Sequence, residues 1–434
     1  MTPTEVTVTT ETATPTPEPP EAGERPDKRP PFMVLFGRYL TEANSVMVTV
    51  YSLLLAFLIG AILLIVSDET VRGTWSYFFS RPTDALEASW QVVSNSYRAL
   101  FEGAILNFNT IDRMAAGTAE IGDLLRPISQ TLTYATPLIF TGLAVGLAFR
   151  AGLFNIGAQG QMIFGMIGAL IVGFSLNLPA ILHLPLAVLA GAVAGAAFGA
   201  VPGVLKATTG AHEVISSIML NNIAGLFLVW AIGTSFMHSE TRSELVTKPV
   251  EDSASLPLLL GFVDDGLRVN LALLIGVAAA VFVWWLLSKS TFGYRIRAVG
   301  FNEHASSTAG MNIGRTYVTT MSVAGGLAGL AGAALTLGVG SGGITTNTAL
   351  EYGFDGITVA LLGRANPGGI IAAALLFGAL KAGALDAQPD VPVDMSTLLQ
   401  ATIVLFIAAP ALVKAILRLR APRGGLVTLE AKGW

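Results

Sequence analysis

The residues of this sequence with most to offer chemically are amides, not acids, bases or nucleophiles. They gather in FRAGLFNIGAQGQMIFG, from Phe149 to Gly165, where Asn155, Gln159 and Gln161 stand among four glycines between two apolar runs. Asn221 and Asn222 lie inside another apolar run. An amide in apolar surroundings is costly unless its donors and acceptors find partners. Side chains at adjacent helical positions diverge by about 100°, so one partner cannot serve both asparagines. Two readings stay open: interhelical hydrogen bonds that fix packing, or the lining of a translocation path that is polar without being charged.

Bond-making chemistry is poorly served. The sequence has no cysteine, which excludes thiol nucleophiles, disulfides and thiolate metal sites. His183, His212, His238 and His304 are scattered, with no H-E-x-x-H pair. No G-x-x-x-x-G-K-[ST] loop is present, and GVGSGG has no lysine, so the chain does not bind ATP through a P-loop. GTSFM and GFSLN do not form a G-x-S-x-G elbow. Glu213, Glu351, Asp355, Lys381 and Asp386 fall near the ends of apolar runs, where charges snorkel cheaply. An ion-coupled carrier keeps such groups at mid-depth. The reading is a non-enzyme with no metal and no cofactor of its own.

Composition gives the class of frame that must position these groups. Of 434 residues, 53% are hydrophobic and 12% charged, against about 25% charged in a typical soluble chain. The fold class is therefore an all-α membrane protein, since a helix satisfies its own backbone inside lipid. At ~20 residues per crossing, about ten transmembrane helices are expected. They fall near 47–66, 130–149, 161–177, 183–205, 214–237, 269–288, 316–338, 353–364, 368–386 and 396–417. The eighth is too short to cross as a straight helix and is expected to be broken or re-entrant. With the N-terminus inside, Arg25, Lys28, Arg29, Arg38, Arg150, Lys206, Lys289, Arg295, Arg297, Arg315 and Arg364 lie at cytoplasmic ends. Lys414, Arg418, Arg420, Arg423 and Lys432 join them, so both termini are expected to be cytoplasmic. A net charge of −4 with basic residues beside apolar runs speaks for membrane topology, not nucleic acid.

Residues 1–40, rich in Thr, Pro and Glu, read as a disordered cytoplasmic tail. Residues 41–420 form the transmembrane domain, and 421–434 a cytoplasmic C-terminal tail. Within the extracytoplasmic segment 67–129, helical spacing aligns Leu86, Trp90, Val93, Tyr97, Leu100 and Ile105 on one face, with Thr83 or Asp84 as cap after Pro82. That face suits either the outer membrane surface or a docking partner. In the basic connection 289–315, Asn302 can cap a short helix over EHASSTAG, with Glu303 at its positive end and Gly310 stopping it. This is either an ordinary structured loop or a docking helix for a cytoplasmic partner. Glycines four residues apart at Gly142/Gly146, Gly191/Gly195/Gly199 and Gly325/Gly329 predict close helix contacts. GLFNIGAQGQMIFG and YGFDGITVALLG echo each other while opening spans of opposite direction, as inverted repeats would.

Four stretches together resemble one family: ATPLIFTGLAVGLAFRAGLFNIGAQGQ, GAHEVISSIMLNNIA, FGYRIRAVGFNEHASSTAGMNIGR and YGFDGITVALLGRANPGG. They are similar to ABC importer permeases of the branched-chain amino acid, ribose and nucleoside group, and to the nucleoside permeases most. The likeness runs from about Tyr97 to the last span. It implies a plasma-membrane permease working with a second homologous permease, with ABC ATPase subunits that bind the ATP, and with an extracytoplasmic substrate-binding lipoprotein. A nucleoside is the implied solute. Ribose-like sugars or branched-chain amino acids are the alternative within the group, and an ion-coupled carrier is the alternative outside it. The resemblance sets Asn155, Gln159, Gln161 and the start of the eighth span, with Asp355, beside the substrate path. Asn221 and Asn222 are further candidates for that path. It makes Gly300, Asn302, Glu303, His304, Ala305 and Gly310 the segment that couples to the ATPase. Gln159 stands where the family often has Glu, and His212 where it often has Asn, and the lost charge leaves the choice of solute open.

Overall fold

The structure, a computed structural model, describes residues 45–349, 351–388 and 394–418, so both expected tails lie outside the described residues. Its helices in chain order are α1 Ser45–Ser67, α2 Glu69–Trp75, α3 Pro82–Ala104, α4 Phe108–Ala115, α5 Ile121–Arg150, α6 Ala158–Ser175, α7 Ala180–Thr209 and α8 Glu213–Ile232. There follow α9 Ala272–Lys289, α10 Thr291–Phe301, α11 Glu303–Thr308, α12 Ile313–Ala334, α13 Tyr352–Leu362, α14 Pro367–Asp386, α15 Asp394–Ala408 and α16 Pro410–Ile416.

Eight of these are long and apolar enough to cross a membrane: α1, α5, α6, α7, α8, α9, α12 and α14. The two remaining expected spans are helical but interrupted. α13 has 11 residues, about 16 Å at 1.5 Å per residue, half of what a bilayer core requires. The tenth is split into α15 and α16 at Ala409, because Pro410 cannot donate to the helix ladder.

Glycine sets the tightest contacts. α7 and α12 cross backbone to backbone: a methyl group on Gly195 would lie 2.6 Å from Gly329 Cα, and one on Gly199 would lie 2.6 Å from the Met321 carbonyl oxygen. α6 closes the trio, with Gly165 against Gly329 and Gly332 against Met162 and Met166. In lipid no hydrophobic drive brings helices together, so close backbone packing of this kind supplies the cohesion. A second trio forms around α5, where Gly142 meets Val359 of α13 and Ile370 of α14, and Gly378 of α14 meets Thr131. α5 is buried along most of its length.

The two ends of the bundle differ in charge. At one, Arg150 Nε donates to the Ala365 carbonyl at 3.1 Å, Lys206 pairs with Glu213, and Gly314 abuts Ala207, which gathers Arg150, Lys206, Arg315 and Arg364 together. At the other, the Arg126 guanidinium reaches Asp123 and Asp264. There, buried His183 contacts Ser253 Oγ at 2.7 Å and the Val172 carbonyl at 2.9 Å, fastening the 233–271 connection to the bundle.

α3 departs from the sequence reading. It begins at Pro82 with Arg81 in the cap position, so neither Thr83 nor Asp84 caps it. Its buried face is Ala85, Ser89, Ser96, Leu100, Gly103 and Ala104, while Leu86 and Trp90 stand 57% and 72% exposed. Toward its C-terminus the cause is again backbone approach, with Gly383 of α14 packed directly on the Leu100 carbonyl and Gly103 on Asp386; toward its N-terminus Ser89 Oγ accepts from Trp75 Nε1 of α2 at 3.1 Å.

The glycine contacts generate a paired prediction. Gly329→Leu forces overpacking, a cost of about 1–3 kcal/mol or more, and lowers the thermal unfolding midpoint of the detergent-solubilised protein. Gly225→Ala on α8, where an added carbon meets nothing within 4 Å, leaves the midpoint unchanged or raises it, since Ala is the better helix former.

Candidate functional site

α5 ends at Arg150, and the chain does not leave the protein there. Ala151, Leu153, Asn155 and Gly157 are all buried in a non-helical connection, and α6 begins at Ala158. This connection climbs back into the bundle. Gln159 packs on Gly353, Gly353 lies one turn before Gly356, and Gly356 packs on Thr141. Thr141 stands about 13 Å along α5 from Arg150. Gln159 therefore sits well inside from the basic end, while Phe154 and Asn155 lie nearer to it, beside Glu213. Irregular backbone at such depth is tolerated only where the protein itself satisfies it.

The side chains singled out in the sequence do that work. Asn155 and Gln161 form a reciprocal amide pair, each donating to the other's oxygen at 3.0 Å, and both are essentially fully buried. Asn221 reaches across from α8: its oxygen accepts from Gly160 N and its nitrogen donates to the Ile156 carbonyl, both at 2.9 Å. It thus serves one group on each side of the helix start. Gln159 accepts from Gly353 N at 2.8 Å and satisfies a free donor in the first turn of α13. Gly353 must be glycine for this, since a Cβ there would lie 2.6 Å from Gln159 Oε1. The two echoing segments therefore touch at their helix starts, and α6 and α13 run away from that point in opposite directions.

Asn222 does not join them. It faces outward and donates to its own helix at Ile218, 3.0 Å away. The adjacent asparagines thus divide, one inward and one outward. Buried Ser217 Oγ, one turn before Asn221, has no hydrogen-bond partner and lies beside Gly157, close to the amide pair. Nothing in the sequence pattern singled it out.

α13 carries Asp355 half-buried, one turn beyond Tyr352. The Lys381 ammonium of α14 lies 4.2 Å from the centre of the Tyr352 ring. Both ends of this half-helix are held in left-handed backbone by non-glycine residues, Glu351 (φ 79°) before it and Arg364 and Ala365 (φ 54° and 49°) after it. Conformations of this kind cost about 1–3 kcal/mol each and concentrate at functional segments.

Gly300 and the capped helix after it, expected from the resemblance to couple to an ATPase, lie at the basic end beside Arg150. Asn302 Oδ1 accepts from Ala305 N at 2.9 Å and caps α11, which ends before Gly310 at φ 81°. Glu303, His304 and Ala305 are exposed, Phe301 beside them is 75% exposed, and only Ser306 of α11 is buried. Gly300, at the end of α10, packs against the backbone of Arg150, Ala151 and Gly152.

The reciprocal amide pair yields a non-additive prediction. Asn155→Leu or Gln161→Leu alone leaves a buried amide without its partner and costs about 1–3 kcal/mol. The double variant falls well short of the summed loss. Thermal unfolding of the three variants reads this directly.

The chain matches the family profile described as branched-chain amino acid transport system / permease component over residues 128–408. It is 41% identical over 285 residues to the guanosine ABC transporter permease protein NupP of Bacillus subtilis, covering 65% of this chain and 81% of that one. It is 37% identical over 297 residues to the nucleoside ABC transporter permease protein NupB of Lactococcus lactis, covering 67% and 82%. It is 33% identical over 310 residues to the glucose ABC transporter permease protein TsgB13 of Haloferax volcanii, covering 70% and 81%. No solved structure matches. The matched region takes in the amide-lined break, the capped helix and the half-helix alike, and the chain belongs to this family of multi-pass membrane permeases.

Proposed function

We propose that this chain is the permease subunit of an ATP-binding-cassette importer for nucleosides. The observation that carries the reading is α11: a capped helix, exposed on all but one residue, whose neighbouring α10 rests on the base of the amide-lined break. By the positive-inside rule its end of the bundle is cytoplasmic. It is there that separate ATPase subunits, which bind the ATP, would seat Gly300, Asn302, Glu303, His304, Ala305 and Gly310.

The solute takes a path shared with a second permease. The route runs along a face of the chain, where the second permease packs. Outward-facing Asn222 and half-buried Asp355 belong to that route. Asn155, Gln159, Gln161 and Asn221 edge it from behind, holding the two helix starts from which the path opens and closes. ATP-driven closure of the ATPases moves α11, and the permease pair alternates between outward and inward openings. An extracytoplasmic lipoprotein delivers the solute at the acidic end. The nucleoside assignment rests on the two nucleoside relatives, and the glucose permease relative supports a sugar as the second reading.

Uptake of labelled guanosine and uridine in a strain lacking the endogenous route tests this. Uptake is expected only when a cognate ATPase is co-expressed, with no competition from excess ribose or glucose. Competition by sugar would move the assignment to a sugar importer. Uptake by the purified chain alone under an ion gradient would replace it with a secondary carrier. Replacement of residues 302–310 is expected to abolish co-purification of the ATPase, and survival of the complex would sink the coupling role.

A further inference from the structure

Two loops and two helices meet above α11 around one buried carboxylate. Glu213, at the start of α8, is buried, and its Oε2 lies 2.6 Å from Lys206 Nζ of α7. Its Oε1 accepts from Phe154 N at 3.4 Å, so the carboxylate also holds the broken connection between α5 and α6. Lys206 lies 5.3 Å from the centre of the Tyr317 ring of α12. α11 runs directly into α12 through a turn in which Met311 N donates to the Ser306 carbonyl at 3.0 Å, and Tyr317 lies near the start of α12. His212 Nδ1 stands 3.9 Å from Glu213 Oε2 at the exposed edge of the group. The path from α11 thus runs through the backbone turn into α12, across the Tyr317 ring to Lys206, and through Glu213 to the backbone of Phe154, next to Asn155.

The arrangement has two grips on one segment. Gly300 presses on Arg150 and Gly152 at the base of the break. The Glu213 carboxylate holds Phe154, further along it. A push at α11 that reached only the base would pivot the connection; held at both points, the connection must move as a unit with the start of α6. A buried ion pair is suited to this because breaking it strands a charge, which makes the contact resist partial loosening.

We propose that Lys206 and Glu213 are positioning residues that transmit displacement of α11 to the Ala151–Gly157 break, so that their ion pair sets how much transport each ATP hydrolysis yields. This rests on the importer reading above, with ATPases seated on α11. It assigns to a specific pair what that reading leaves to the fold as a whole.

The test uses the assembled complex in liposomes, reading ATP hydrolysis and nucleoside uptake in the same preparation. Lys206→Met/Glu213→Gln removes both charges, so neither is stranded, and the glutamine can still accept from Phe154 N. The double variant is expected to co-purify with the ATPase and to hydrolyse ATP within about twofold of wild type, while uptake per ATP falls about tenfold, within the usual range of coupling energies. Lys206→Arg, which keeps the charge pair, is expected to restore the wild-type ratio. The proposal is overturned if the double variant transports at the wild-type ratio. It is equally overturned if hydrolysis and uptake fall in proportion, the mark of a merely structural pair. Failure of the wild-type chain to bind any ATPase would remove the importer reading itself, a result distinct from either.

Discussion

A stretch of backbone that is neither helix nor loop on water governs this fold. Between Arg150 and Ala158 the chain turns back into the bundle, exposing peptide groups where lipid and apolar side chains offer them nothing. The amides solve that problem locally. Asn221 takes one acceptor of the break and one donor of the first turn of α6, the Asn155–Gln161 pair satisfies itself, and Gln159 spends its oxygen on the first turn of α13. Charged residues in these places would satisfy the same groups only by adding a desolvation cost of several kcal/mol each. Neutral amides avoid it while keeping donors and acceptors in fixed directions.

That constraint accounts for the glycines as well. A half-helix can be held by a side-chain oxygen from a neighbouring helix start only if the two backbones come very near, and Gly353 is where they do. The α6–α7–α12 trio then locks the far side of α6 through Gly165, Gly195 and Gly329. The break is thus clamped between a rigid glycine-packed trio and a short helix with strained ends. Rigid elements joined by a satisfied but irregular segment are what an alternating structure needs, since movement concentrates where few backbone bonds must be remade.

Much of this was legible in the sequence because its signals are chemical. Asn302, Glu303 and Gly310 spell out a capped and terminated helix, and α11 is that helix. The glycine repeats named the helices that approach most closely, and the length of 353–364 alone required a broken span. Other features were illegible for a physical reason. On α3 helical spacing aligns Leu86, Trp90 and Leu100 without saying which of them the bundle covers; Leu86 and Trp90 stay exposed, as a face for the membrane surface or a partner requires, and Leu100 is buried. In a bilayer large residues can face outward while small ones meet neighbouring helices, as Gly103 meets α14 and Ser89 meets Trp75 of α2. The divergence of Asn221 from Asn222 followed from helical geometry, but which of the two turns inward depends on where Gly160 and Ile156 lie, and that is tertiary information.

Glu213 sharpens the point. At the sequence level it was one charge at the edge of an apolar run, indistinguishable from a snorkelling residue. Its partners come from α7 and from the 151–157 connection, so no local window contains them. A carboxylate at a helix start would be stabilised there by the helix dipole alone, by a few tenths to 1 kcal/mol at the surface. Burial adds a desolvation cost that the dipole does not cover, and the Lys206 ammonium at 2.6 Å offsets it first, with the Phe154 N–H as a second partner. A charge kept buried where an exposed one would cap the helix as well is explained by the two partners it joins, which hold α7, α8 and the backbone leading to the amides of α6 at one point.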